Sequence, residues 1–209
     1  MTQGARGGAG RTAEGEPSRP GGAAGERLRL FVAADVPEAH RRAVGEAIEP
    51  VRDPAWGGRW TPAASQHVTL KFLGWTPSDR VEAVGSAIEI VARSNRGAPV
   101  ALGAVGAFPS MRRARVLWVG LEDPAELLAR LAADLDRAME PLGYAVEQRA
   151  FTPHLTLARF KSPVRLEGLV PVRPWGRLDP FDIAAVTLYR SRLHPAGARY
   201  ESMRSFLLG

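Results

Sequence analysis

Apolar residues along this chain recur at two different periods, and the switches between them divide it into elements. Arg27 to Ala34 reads as a strand, and after Pro37 a helix runs to about Val51 with Val44, Ile48 and Val51 on one side. A second helix is expected from Ser78, a plausible N-cap, because Val81, Val84, Ile88 and Val91 follow at helical spacing. A third is expected from about Pro124 to Leu142, with Leu128, Leu131, Leu135 and Met139 as its stripe and Gly143 as its stop. The segments His67 to Leu73, Val100 to Ala107, Arg115 to Leu121, Tyr144 to Ala150, His154 to Phe160, Ile183 to Leu193 and Tyr200 to Phe206 read as strands. Extended and helical patterns therefore alternate, which predicts an α/β (α+β) chain with mostly antiparallel pairing.

Residues 1–26 are rich in Gly, Ala, Arg and Pro and show no hydrophobic period, so they are expected to form a disordered leader ahead of a single domain over 27–209. The leader has no apolar core of the kind a secretory signal carries. Its charges cancel, Arg6, Arg11 and Arg19 against Glu14, Glu16 and Glu26, so the formal net charge of +6 belongs to the domain. A basic domain attracts polyanions, although an Arg-rich composition alone would also produce this charge. A chain of 209 residues with 45% hydrophobic content can bury a substantial core, and no run is apolar enough to cross a membrane. The absence of cysteine excludes disulfides, thiolate metal ligands and a cysteine nucleophile, and fits a cytoplasmic protein.

Candidate chemistry resides in a tetrapeptide that occurs twice, His67-Val68-Thr69-Leu70 and His154-Leu155-Thr156-Leu157. On a strand, residues two apart project to one face, so each box presents an imidazole and a hydroxyl together while Val68 or Leu155 points into a core. Two imidazoles near pH 7 can divide the roles of general base and general acid, and two hydroxyls can donate to a charged oxygen. That set suits a phosphate ester or cyclic phosphate, gripped while a proton leaves on one side and arrives on the other. A single His opening a strand is ordinarily structural and a single Thr is ordinary packing; the repeated context argues for function in His67, His154, Thr69 and Thr156. His40, beside Arg41 and Arg42, and His194, before Pro195, read as solvated surface residues.

The two boxes and their surroundings resemble the 2H phosphoesterase superfamily, in particular its bacterial RNA 2′,3′-cyclic phosphodiesterase (2′-5′ RNA ligase-like) branch. The resemblance rests on Arg29-Leu30-Phe31-Val32-Ala33 before Pro37, on His67 through Gly74, on Ala107-Phe108-Pro109 with Arg115 through Gly120, and on Phe151 through Arg159. It closes with Leu188 through Leu193, Gly197 and Tyr200, and so covers roughly Leu28 to the C-terminus. It implies a bilobal fold, two pseudo-symmetric antiparallel sheets backed by helices around a central cleft, with His67 and His154 on its two walls.

The resemblance further implies hydrolysis of RNA 2′,3′-cyclic phosphate ends to 2′-phosphates, with His67 as proton donor to the leaving 3′ oxygen and His154 as the base that activates water. Thr69 and Thr156 would donate to the non-bridging oxygens. No metal or other cofactor is expected, and the protein would act as a monomer. Among basic neighbours, Lys71 stands four residues after His67, on the same face by strict alternation and within reach of a phosphate, with a solvated lysine as the alternative. Arg159, five residues after His154, falls on the other face by the same count, and as a candidate substrate contact it would need strand twist or the strand end to bring it to the phosphate. Arg115, with Arg112 and Arg113, would steer an RNA backbone, and Phe151, Trp60 and Tyr189 would stack on bases unless they serve the core. Three alternatives stand beside hydrolysis: 2′-5′ ligation by the reverse reaction, a phosphodiesterase of small cyclic nucleotides, and a non-catalytic RNA-binding module.

Overall fold

In the computed structural model, which describes residues 25–175, 178–194 and 197–209, the strands form one curled antiparallel path. They are β1 (Arg27–Ala34), β2 (Gly58–Trp60), β3 (Val68–Pro77), β4 (Ala98–Phe108), β5 (Ala114–Glu122), β6 (His154–Val164), β7 (Phe181–Ile183), β8 (Ala185–Arg192) and β9 (Arg199–Leu207). The order β7-β4-β5-β6-β3-β1-β8-β9, with β2 added beside β6, divides into two halves of four strands that meet where β6 joins β3. The expected lobes are therefore halves of one continuous sheet, and their junction lies between the two His-x-Thr-Leu boxes. The leader expected over 1–26 lies outside the described residues except for Gly25 and Glu26.

The junction is narrow. A single antiparallel pair, Val68 with Leu155, links β3 to β6. Pairing the middle residue of one box with that of the other sets His67 beside Thr156 and Thr69 beside His154, and the two histidines become diagonal neighbours with Cα atoms roughly 7–8 Å apart.

Both strands bulge at the same place in their motifs. Val32 pairs with Lys71 and Ala33 with Thr69, which leaves Leu70 unpaired. Leu117 pairs with Ala158 and Trp118 with Thr156, which leaves Leu157 unpaired. One extra residue resets the alternation of faces, so Leu70 and Lys71 are both buried, as are Leu157 and Ala158. The residue after each pair, Phe72 in one strand and Arg159 in the other, turns to the face that carries His and Thr.

Three helices cover the opposite face: α1 (Glu38–Ile48), α2 (Val81–Arg93) and α3 (Leu127–Met139). The apolar stripes read from the sequence are the buried ones, with Val84, Ile88 and Val91 of α2 and Leu128, Leu131, Leu135 and Met139 of α3 all in the core. Each large side chain so buried contributes about 1.5–3 kcal/mol. Ser78 makes no capping bond, and a 3-10 turn over Ser78–Arg80 leads into α2 instead. Helix α3 starts later than expected because the Asp123 carboxylate accepts from the Leu127 and Leu128 amides at 2.9 and 2.7 Å, fixing its first turn. No helix among the described residues is long and apolar enough to cross a membrane.

The strand expected at Tyr144 to Ala150 is not formed. Its polar groups find side chains rather than a ladder: the Lys71 ammonium donates to the Ala145 carbonyl at 2.5 Å, and Asp136 of α3 accepts from the Glu147 amide at 3.4 Å. The segment is a strap held against β3 by the buried Lys71–Asp136 ion pair.

Candidate active site

Each histidine is oriented by its own chain two residues upstream. The Nδ1–H of His67 donates to the Ser65 carbonyl at 2.9 Å, and that of His154 to the Thr152 carbonyl at 2.7 Å. A carbonyl oxygen only accepts, so in both rings the proton of the neutral form resides on Nδ1 and Nε2 presents a lone pair. On His67 that lone pair receives the Thr69 hydroxyl, with Nε2 and Oγ1 3.1 Å apart. Thr156 occupies the corresponding place beside His154, two residues on.

The surroundings of the two rings differ. His67 stacks on Phe31 at 4.8 Å and lies nearly perpendicular to the Tyr200 ring at 5.0 Å, and Tyr189 stacks behind Phe31 at 5.2 Å. Beyond them Asp35 accepts from the hydroxyls of Thr187, at 2.9 Å, and Tyr189. His154 meets Phe108 edge-on at 5.3 Å and lies 6.0 Å from Trp118. Gly106 makes room for that indole, since a Cβ there would sit 2.3 Å from its ring.

Burial pushes both imidazoles below the ordinary value of 6.5, because a charged ring loses hydration there. The carbonyl bonds oppose this, and the Arg159 charge adds to the lowering at both rings. The Asp35 carboxylate raises the proton affinity of His67 and is not among the influences on His154. Desolvation, and then the hydrogen bond it donates to Asp35, push the Tyr189 phenol upward, so it stays a neutral donor.

The boxes open onto two cavities that share one wall. One, of about 820 Å³, is lined by His154 with Phe108, Phe151 and Arg115; the other, of about 900 Å³, by His67 with Arg29, Arg59 and Arg199. Thr69, Phe72, Thr156 and Arg159 line both. The two hydroxyls therefore stand at the junction, with one imidazole toward each side.

The bulges change two placements drawn from strict alternation, one away from the site and one, Arg159, into the place of a candidate substrate contact. Lys71 is 5% exposed and its ammonium is bound to Asp136 and the Ala145 carbonyl, so it holds the strap, while part of its side chain lies on the wall of the His154 cavity. Arg159 is turned onto the face of His154 and Thr156, exposed at the cavity junction. Phe72, 62% exposed beside Thr69, is the aromatic the sequence reading passed over; its position five residues after His67 matches that of Arg159 after His154.

Other expected residues divide between the site and its support. Phe151 is half-buried on the His154 side, and Arg115 lies on the same wall with its guanidinium on the Lys161 carbonyl at 3.1 Å. Arg112 is paired with Glu167. Tyr189 supports Phe31 and Asp35 rather than a base, and Trp60 packs edge-on against Phe160 while lining the His67 cavity. His40 is not freely solvated, since its Nε2 is 2.8 Å from the Asp179 carbonyl and its ring rests on Phe181. His194 is exposed and lies on the wall of the His67 cavity. Asp35 carries no motif, and only the pairing of β1 with β8 brings it to Thr187 and Tyr189.

An antiparallel sheet curled around paired His-x-Thr boxes defines a class, and the family profile of the 2′-5′ RNA ligase superfamily matches residues 36–195. The chain belongs to that superfamily, the 2H phosphoesterases. It is 34% identical over 187 residues to the RNA 2′,3′-cyclic phosphodiesterase of Thermus thermophilus, covering 87% of this chain and 90% of that protein. To the protein of the same name from Methanothermobacter thermautotrophicus it is 28% identical, covering 87% of this chain and all of the other. Among solved structures, E. coli LigT complexed with 3′-AMP superposes with a TM-score of 0.74 at 26% identity, covering 88% of this chain and 99% of LigT. The protein TT0787 of Thermus thermophilus also gives 0.74, at 30% identity over 87% of this chain and 98% of the other.

Proposed function

We propose that this protein hydrolyses RNA 2′,3′-cyclic phosphate ends to 2′-phosphates by two-histidine acid–base catalysis, acting as a monomer in the cytoplasm. One observation carries the reading: two Nε2 atoms, each prepared by an upstream carbonyl, flank a junction where two threonine hydroxyls converge. The names of its relatives point to the same substrate class.

In this reading the cyclic phosphate sits between Thr69 and Thr156. His154 Nε2 takes a proton from water as its oxygen bonds to phosphorus; on the opposite side the bond to the 3′ oxygen breaks and His67 Nε2–H protonates it. Each transfer is worth about 10²–10⁴ in rate. The hydroxyls donate to the non-bridging oxygens, where charge builds. The Asp35 carboxylate favours an imidazolium at His67 and has no counterpart among the influences on His154, which supports His67 as the acid. Burial disfavours the imidazolium at both rings in the free site, so the bound phosphate anion must draw the proton onto His67. With a 5′-hydroxyl in place of water, the same steps would join it to the cyclic phosphate through a 2′-5′ bond, and the concentration of water favours hydrolysis.

The test is incubation, with excess chelator, of the protein with a short RNA ending in a 2′,3′-cyclic phosphate, separating 2′- from 3′-phosphate products. Accumulation of the 2′-phosphate is expected. A 3′-phosphate product would reverse the placement of the leaving oxygen, and no product would remove the reading.

A further inference from the structure

The carbonyls that orient the two histidines are held by different means. That of Thr152 precedes Pro153, whose own carbonyl accepts from the Leu121 amide at 3.0 Å, so the pairing of β5 with β6 extends to the residue before His154. Strand β6 begins at His154 itself, whereas β3 begins only at Val68, and the chain ahead of His67 lies outside the sheet. It runs instead through a 3-10 turn over Ala63–Ser65, in which the Ser65 amide donates to the Pro62 carbonyl at 2.8 Å and the Gln66 amide to the Ala63 carbonyl at 3.1 Å.

A side chain from another element reaches that turn. Arg41 of α1 donates through one guanidinium nitrogen to the Ala64 carbonyl at 2.9 Å and to the Ala63 carbonyl at 3.3 Å. The next carbonyl, that of Ser65, accepts the His67 Nδ1–H at 2.9 Å. Three successive carbonyls are thus engaged, two by Arg41 and one by His67, at the end of a helical turn where a cation is favoured. Arg41 makes no ion pair among the described residues, while Arg42 beside it pairs with Glu46 at 3.8 Å. The Arg41 Nε is buried without a hydrogen-bond partner, so the two carbonyls are what hold the guanidinium in place.

We infer that Arg41 is a positioning residue for the acid step: it fixes the 3-10 turn, and the turn presents the Ser65 carbonyl that aims His67 Nε2 at the substrate. The inference rests on the function proposed above and adds a residue to it. Arg41 acts through Ser65 and not by its charge on the ring, and the two routes predict opposite signs. The Ser65 carbonyl is the largest of the influences that raise the proton affinity of His67, so loosening it lowers that affinity, whereas removing a nearby cation raises it. The other charged and titratable groups around the ring remain when Arg41 is replaced: Asp35 after β1, His154 and Arg159 of β6, Tyr189 of β8 and Tyr200 of β9.

The experiment compares the wild type with R41M, R41K and, as a control on the same helix, R42M. It reads kcat and KM for an RNA 2′,3′-cyclic phosphate, the alkaline limb of kcat/KM against pH, and the ring-nitrogen resonances of His67 and His154. Methionine keeps an apolar stem and a good helix former, so R41M is expected to melt with the wild type. In R41M kcat should fall on the order of ten- to a hundredfold with KM little changed, because a misaimed ring leaves the binding walls intact. Its alkaline limb should move to lower pH, and the neutral His67 ring should lose its fixed Nδ1–H tautomer while His154 keeps its own. R41K, which can still donate to both carbonyls, should recover most of the kcat and the tautomer, and R42M should match the wild type. Unchanged His67 resonances in R41M, a limb that moves to higher pH, or a loss of kcat that R41K does not reduce would each overturn the inference. R41Q, neutral but polar, is judged by the same criteria if R41M fails to fold. Absence of turnover in the wild type would remove the hydrolase, and the His67 resonances would still decide whether Arg41 positions the ring.

Discussion

The two His-x-Thr-Leu boxes share a backbone and differ in almost everything that surrounds it. In both, the histidine Nδ1–H is bound to the carbonyl two residues upstream, the threonine projects beside it, and the closing leucine is the extra residue of a bulge. Past the bulge the halves diverge. Lys71 and Ala158 occupy one position in the repeat, Phe72 and Arg159 the next, and Asp35 stands behind His67 while Trp118 and Gly106 lie beside His154. Main-chain geometry that aims a ring can be repeated by repeating four residues and one bulge. The proton affinity of that ring depends on charges and burial contributed by other strands, so two copies of one motif can hold two unequal groups.

The largest expected difference comes from removing either proton carrier. His67→Ala and His154→Ala should each lower turnover of a cyclic-phosphate RNA by about 10²–10⁴, and the double variant should lose little more than the worse single, because both transfers belong to one step. Additive losses, read by product quantification, would mean that the two boxes act separately.

Next comes the repeat position that Lys71 holds in one half and Ala158 in the other. Lys71→Met leaves Asp136 without its cation in a mostly buried place, and should cost about 3–5 kcal/mol in urea unfolding. K71M/D136L, which removes both charges, should regain most of that stability. It should still raise KM, because the strap over residues 144–150 loses its bond to Ala145 and the Glu147 amide loses Asp136. Full recovery of KM with stability would reduce the ion pair to a packing element.

The threonines sharpen the comparison further. Thr69→Val and Thr156→Val each remove a donor, and each should slow turnover on the order of tenfold or more. Only Thr69 bonds a histidine Nε2, so only its variant should also move the pH profile. Equal shifts in both would show that the hydroxyls play one role.

The smallest effect concerns Asp35. Both rings lie below 6.5, so the acid is lost as pH rises, and kcat/KM should already be falling with pH at 6.5. Asp35→Asn removes the carboxylate that raises His67, and should move the alkaline limb to lower pH without moving a His154 resonance in a histidine NMR titration. Folding stability follows the same sign: each ring's folded value is depressed, so protonation of the unfolded chain withdraws stability as pH falls from 6.5 through the folded values. A limb that stays in place in the Asn variant would leave Asp35 a partner of Thr187 and Tyr189 alone.

Much of this was legible in one dimension. The stripes of α2 and α3, the strands carrying the boxes and the repeated pairing of ring and hydroxyl follow from periods of 3.6 and 2, which are properties of a single segment. Strict alternation sets Lys71 and Arg159 on the wrong faces for one reason: a bulge arises from the register between two strands, and nothing in either strand alone announces it. The strand expected over Tyr144 to Ala150 failed for a related reason, since its alternation met the Lys71–Asp136 pair instead of a neighbouring ladder.

The sequence by itself determined the chemistry available: two imidazoles, two hydroxyls, a basic domain and the segments that carry them. Tertiary structure decided how that chemistry is used, because pairing, burial and charge act across the whole chain. The single Val68–Leu155 bridge brings the boxes together, Asp35 arrives from the end of β1, and a cavity wall carrying Arg29, Arg59, Arg159 and Arg199 is assembled from β1, β2, β6 and β9. Distances between charges fix proton affinity, and those distances exist only once the sheet has curled.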